Sequence, residues 1–164
     1  MDKKTKRIIH IVAWVVCIVF VVLLYTVTGG ELNALKSLDE SYEVKVIVTE
    51  DQLEGFSDGN YHETEYTLRG EDVTKLRDIL VSGIKARELF GSGLNVTEPE
   101  SNKRIVIIAN NFDNTRQFTM EIIYKYYLRI GDSSDKYCRN YHEELESEVL
   151  ELLSGLEPDG DEVK

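Results

Sequence analysis

Hydrophobic and polar positions divide the chain into two regimes. Residues 8–28, IIHIVAWVVCIVFVVLLYTVT, are an apolar run with no Asp, Glu, Lys or Arg. No polar face interrupts it, which excludes a helix that buries one side in a soluble core. As a helix, a run of this length spans about 31 Å, the thickness of a bilayer's hydrocarbon core. A charge at the centre would cost about 2.5–3.5 kcal/mol on insertion scales, so the clean run points to a transmembrane helix.

Beyond the run the pattern alternates between periods of two and of 3.6. Residues 42–49 are rich in Val and Ile, and 61–69 alternate as the returning strand of a hairpin around loop chemistry at 55–60. Gly70 ends that strand. Glu71 and Asp72 then suit a helix N-terminus, and Val73, Leu76, Ile79 and Leu80 fall on one helical face before Ser82 and Gly83 stop it. Residues 104–109 read as a buried strand. From Phe118 to Ile130 the even positions Phe118, Met120, Ile122, Tyr124, Tyr126, Leu128 and Ile130 share one face. The other face holds Thr119, Glu121, Lys125 and Arg129, with Ile123 and Tyr127 as apolar exceptions. So long a strand is unusual, which places a bend or tight turn near Lys125 although no Gly, Asn or Pro marks it. A short strand at 136–139 follows. Asn140 with Glu143 forms a capping-box pattern for a last helix, whose stripe is Leu145, Val149, Leu152, Leu153 and Leu156 and which Pro158 ends.

The expected fold class is therefore α+β: an N-terminal transmembrane helix and one small domain, in the order β-β-α-β-β-β-α. With no βαβ repetition, its sheet is antiparallel, with about four to five strands and two helices on one face. The expected organisation is a basic cytoplasmic tail (1–7), a transmembrane signal-anchor (8–28), a juxtamembrane tether (29–40), an extracytoplasmic domain (41–156) and a disordered acidic tail (157–164). Leu32, Leu35 and Leu38 give the tether a short helical turn.

Charge fixes the orientation. The net charge is −11. Residues 1–7 hold Lys3, Lys4, Lys6 and Arg7 against Asp2, a balance of +3, so the remainder carries −14. Basic flanks stay in the cytoplasm, which puts the acidic domain outside the cell membrane. The apolar run exceeds the ~7–15 residues of a cleaved signal core, and no small-x-small cleavage site follows it. An acidic domain repels phosphate backbones, so nucleic acid is excluded as a partner. Membrane lipid around 8–28 and a basic, apolar or neutral envelope protein fit instead. Cys17 lies in the apolar run and Cys138 in the domain, so the two do not pair. An exported domain without an internal disulfide fits a bacterial envelope better than a eukaryotic secretory pathway.

Candidate chemistry is sparse. Cys138 and His142, with His62 from the hairpin, are the one grouping that suggests a metal site or a Cys–His nucleophile. Two of them straddle the expected cap at Asn140, and zinc needs three or four protein ligands, so no metal, cofactor or catalytic residue is assigned. A calcium-loop reading from Asp132 fails at Tyr137, where glycine is required. Tyr127, on an otherwise polar strand face with Lys125 and Arg129, is the candidate contact surface, because tyrosine is enriched where proteins bind each other.

The stretch Phe118-Thr-Met-Glu-Ile-Ile-Tyr124, Tyr127-Leu-Arg-Ile-Gly131 and Lys136-Tyr-Cys-Arg139, followed by a Glu- and Leu-rich helix, resembles small membrane-anchored extracytoplasmic domains of unknown function from Gram-positive bacteria. The resemblance covers about the last third of the chain, implies a cell-envelope setting and carries no activity. The functional expectation is a non-enzymatic binding or sensory module. The alternatives are an envelope enzyme with a site near His62, Cys138 and His142, or a homo-oligomeric structural protein.

Overall fold

The computed structural model describes residues 3–25, 30–51, 61–84, 86–87, 103–111, 117–123, 125, 127–131, 136–138 and 144–163. In chain order these form α1 (Lys3–Tyr25), α2 (Gly30–Lys36), β1 (Tyr42–Asp51), β2 (Tyr61–Leu68), α3 (Glu71–Val81), β3 (Ala86–Arg87), β4 (Lys103–Asn111), β5 (Gln117–Ile123), β6 (Tyr127–Ile130), β7 (Lys136–Cys138), α4 (Leu145–Ser154) and β8 (Gly160–Val163). The α+β class is as expected.

Among the described residues one sheet contains all the strands, in the order β3-β7-β6-β5-β4-β1-β2-β8. Its pairings are antiparallel throughout. Five strands, β6-β5-β4-β1-β2, form the body, and the short β3, β7 and β8 extend its two ends. The register sets Val44 opposite Leu68 on β2 and Val46 opposite Ile107 on β4. Period-two alternation then puts Val44, Val46, Ile105, Ile107, Met120, Ile122, Leu128 and Ile130 on one face, all buried. At the far end of that face the rings of Tyr42 and Phe118 meet edge to face, 5.8 Å between centroids.

Three helices share the core on that face, where two were expected. α3 contributes Val73, Leu76 and Leu80, and α4 contributes Leu145, Val149 and Leu153. The third is α2. Within the segment expected as a tether, the described part 30–40 belongs to the domain: Leu32, Leu35 and Leu38 are 3%, 0% and 0% exposed and join the same core. Three leucines at a spacing of three form a stripe, and burying each is worth roughly 1.5–3 kcal/mol, which a solvated linker would forgo. The Arg77 guanidinium on α3 donates to the Leu38 carbonyl at 3.0 Å and fastens the end of this segment.

The alternating run 118–130 is two strands. Lys125 takes the left-handed conformation, φ 67°, between β5 and β6. Ile123 pairs with Tyr127, so the connection is three residues long. An odd connection keeps parity, and Ile122 and Met120 stay on the core face opposite Leu128 and Ile130. Tyr124 and Tyr126 lie outside the described residues.

Two terminal expectations change. α4 starts at Leu145 with Glu144 as its N-cap, so the Asn140–Glu143 pattern, which lies outside the described residues, precedes the helix and is not its cap. The tail 157–164, expected to be disordered, supplies β8, which pairs with β2 from His62↔Val163 to Glu65↔Gly160. The Asp159 N–H also donates to the Glu65 carbonyl at 2.8 Å.

The expected basic tail is helical from Lys3, at the start of α1. The described side chains of α1, Thr5 through Phe20, are all exposed. Among the described residues no helix is long and apolar enough to cross a membrane. The uncharged part of α1 with described side chains is 8–20, against the roughly 20 residues a bilayer needs. Residues 26–29 lie outside the described residues.

Candidate functional site

Since α2, α3 and α4 occupy one face of the sheet, the other carries two of the three expected contact residues, Tyr127 and Arg129. The same alternation that buries one set of positions on each strand places Lys45 and Ile47 of β1, Glu63 and Glu65 of β2, Arg104, Val106 and Ile108 of β4, Glu121 and Ile123 of β5, and Tyr127 and Arg129 of β6 on this second face. The register aligns them in rows: Arg129, Glu121, Val106, Ile47 and Glu65 lie side by side across five strands. An apolar centre is thus flanked by charge on both sides.

The charges are paired. Glu121 accepts hydrogen bonds from both Arg104 and Arg129, one on each carboxylate oxygen. Its side chain is 12% exposed, against 65% for Arg104 and 39% for Arg129. The Arg129 Nε is buried and has no hydrogen-bond partner, so the Glu121 carboxylate is the main compensation for that guanidinium. On the opposite flank the Lys45 Nζ donates to Glu65 Oε2 at 2.6 Å. This hydrogen bond raises the Lys45 pKa above its ordinary value, with a smaller opposing effect from desolvation. Arg69 donates from Nε to Glu43 at 2.7 Å. Exposed pairs of this kind contribute about 0–1 kcal/mol each, so they order the face more than they hold the fold.

The expected contact trio separates. Tyr127 is 2% exposed and presents no contact surface. It lies in register with Ile123 on one side and Cys138 on the other and stands apart from the helix-side core. Lys125 serves the chain through its backbone, and Arg129 is engaged by Glu121. Arg104 and Glu121, which complete this cluster, were not singled out from the sequence. The trace they leave there is one charged residue among the mostly uncharged outward positions of each strand, which names no partner until the register is known.

The grouping of His62, Cys138 and His142 is not formed by the described residues. His62 is on β2 and Cys138 on β7, with four strands between them. At about 4.8 Å per strand that separation is about 24 Å, beyond the reach of a shared metal or a proton transfer. His142 lies outside the described residues. Among those described, no group of three or more His, Cys, Asp or Glu is placed to hold a metal ion. At the other end of the chain, Lys6 and Arg7 of the expected anchor flank are exposed on the first turns of α1, where Lys3 and Lys4 also lie.

No family model, curated protein or solved structure matches the chain.

Proposed function

We propose that the chain is a single-pass, membrane-anchored binding or sensory module whose α+β domain stands on the outer side of a bacterial cell membrane. The observation that carries this reading is the surface of α1. Ile8, Ile9, Ile11, Val12, Trp14, Val15, Val16, Ile18, Val19 and Phe20 are each 50–69% exposed. At 100° per residue these positions cover the whole circumference, so no single protein face can remove them from water. Hydrocarbon surrounding the helix does, at about 25 cal/mol for each Å² covered. Lys3, Lys4, Lys6 and Arg7 then stay on the cytoplasmic side.

The anchor and domain are closely joined. α1 ends at Tyr25 and α2, already part of the domain core, begins at Gly30. The connection reaches at most about 18 Å, so the domain works next to the lipid surface and meets partners there. A binding role is favoured over an enzymatic one because His62 and Cys138 stand far apart, while the sheet carries a face of paired charges around Ile47 and Val106.

The test has two arms. Alkaline carbonate washing of membranes from cells expressing the full chain should leave it in the pellet, and protease added to intact spheroplasts should remove the domain. Release into the wash, or protection from the protease, overturns the anchored, outward orientation. In-cell crosslinking followed by mass spectrometry should recover one envelope protein reproducibly. Recovery of the chain alone overturns the binding reading in favour of self-assembly.

A further inference from the structure

Resting on the anchored-module reading, we propose that α2 and the turn after it, residues 30–41, form a releasable strap that sets how far the domain stands from the membrane. Docked, the strap leaves only the connection from Tyr25 to Gly30, which reaches at most about 18 Å. Released and extended, the chain from Tyr25 to Tyr42 reaches at most about 60 Å. The docked domain meets partners at the lipid surface, and the released domain meets partners deeper in the envelope.

Four observations mark the segment as detachable. It lies at the N-terminal end of the domain, so peeling it away leaves β1 paired with both β2 and β4. It is an outer layer: Leu32, Leu35 and Leu38 are buried on its inner side, while Asn33, Lys36, Ser37, Asp39 and Glu40 are exposed. Its own hydrogen bonds are local. The Ser37 N–H donates to the Asn33 and Ala34 carbonyls, and Ser41 donates to the Asp39 carboxylate, so these bonds travel with the segment and do not tie it to the domain. Finally, α2 has seven residues and begins at a glycine, whereas isolated helices shorter than about 12–15 residues are marginal in water. Once released it unfolds, and the backbone freedom it regains offsets part of the lost burial.

Among the described residues, two things hold the strap. α2 lies against α3 and β6 through its leucines, and the Arg77 guanidinium donates to the Leu38 carbonyl at 3.0 Å and attracts the Asp39 carboxylate. A partner that only the released form can reach binds in competition with this docking. Loosening the strap therefore raises the apparent affinity for such a partner.

Single cysteine substitutions at Leu35 on α2 and Val46 on β1, both fully buried, report opening through alkylation of the full chain in neutral detergent. Peptide mass spectrometry separates these sites from Cys17 and Cys138. Leu35→Cys should be alkylated at least about 100-fold faster than Val46→Cys, at a rate that mild urea leaves nearly unchanged, because opening of one short segment exposes little surface. Arg77→Met should speed alkylation of Leu35→Cys by about three- to tenfold and leave Val46→Cys unmoved. Equal rates with the same urea dependence, or an Arg77→Met effect shared by both sites, overturn the proposal, because α2 then opens only with the whole domain. Should a cysteine variant misfold, hydrogen exchange at the Leu35 and Val46 amides of the unaltered chain makes the same comparison. That failure leaves the anchored orientation standing, whereas release in the carbonate wash removes the anchored reading while the opening of α2 is still measured.

Discussion

The backbone N–H of Glu146 donates to the carbonyl of Lys125 at 2.7 Å, joining the first turn of α4 to the turn between β5 and β6. Helix N-termini leave N–H groups without intrahelical acceptors, and here a carbonyl from a neighbouring turn supplies one where no side chain caps the helix. The Lys125 backbone makes this contact at φ 67°, a conformation that costs an L-residue about 1–2 kcal/mol.

Glycine adopts that conformation freely but loses about 0.5–1 kcal/mol more backbone entropy on folding. Lys125→Gly should therefore leave stability unchanged or raise it by up to about 1 kcal/mol. Lys125→Val, β-branched at positive φ, should lower it by about 1–2 kcal/mol. Denaturant midpoints of the two variants measure this directly. A Gly variant less stable than the Val variant would refute the left-handed turn.

The same turn shows how far the sequence was readable. Strand length alone demanded a break near Lys125, but lysine gives no local sign of a left-handed residue. What holds it there is long-range, the contact with α4. Period-two alternation was enough to place Val44, Ile107 and Ile122 in the core, because a one-residue slip would expose them all. It could not place Tyr127, which has the parity of the polar face and is buried nevertheless. Nor could it distinguish a tether from a core helix at Leu32, Leu35 and Leu38, since seven residues are too few for a periodic pattern to decide. The charge cluster at Glu121 depended on β4 pairing with β5 and β5 with β6, information that no single strand carries.

Leu35 tests the corrected boundary of the domain. It is fully buried on α2, and removing its side chain should cost about 2–5 kcal/mol, the range for Leu→Ala in a packed core. If 29–40 were only a tether, Leu35→Ala would be silent. Lys36→Ala, on the exposed side of α2, is the control and should change stability by less than about 0.5 kcal/mol. Thermal unfolding of both variants in the same detergent separates the two outcomes.

Glu121 should matter more than either arginine it holds. Glu121→Gln removes the charge that compensates Arg129, whose Nε is buried without a partner, and should destabilise by about 1–3 kcal/mol. Arg104→Ala, at an exposed position, should cost less than about 1 kcal/mol. A double-mutant cycle between Glu121 and Arg129 should return a larger coupling than one between Glu121 and Arg104. The reverse order would show that exposure does not govern the strength of this cluster.

The Lys45–Glu65 pair predicts a pH dependence with a defined sign. Hydrogen bonding to Glu65 raises the Lys45 pKa above its ordinary 10.5 in the folded protein. The folded state therefore holds this proton more tightly than the unfolded chain does, and the resulting stabilisation is complete below pH 10.5. It is lost as pH rises through the raised folded value. Because the Lys45 side chain is 43% exposed, screening limits the contribution to about 0.2–1 kcal/mol. Lys45→Met should lower stability by that amount at neutral pH. The difference between wild type and variant should persist up to the ordinary lysine pKa of 10.5 and shrink as pH rises through the raised folded value, where the ammonium is discharged. Taking the difference cancels the other lysines, which titrate equally in both proteins. A gap that stays constant across that range would show that Lys45 acts through the packing of its methylene stem on the sheet and not through its charge.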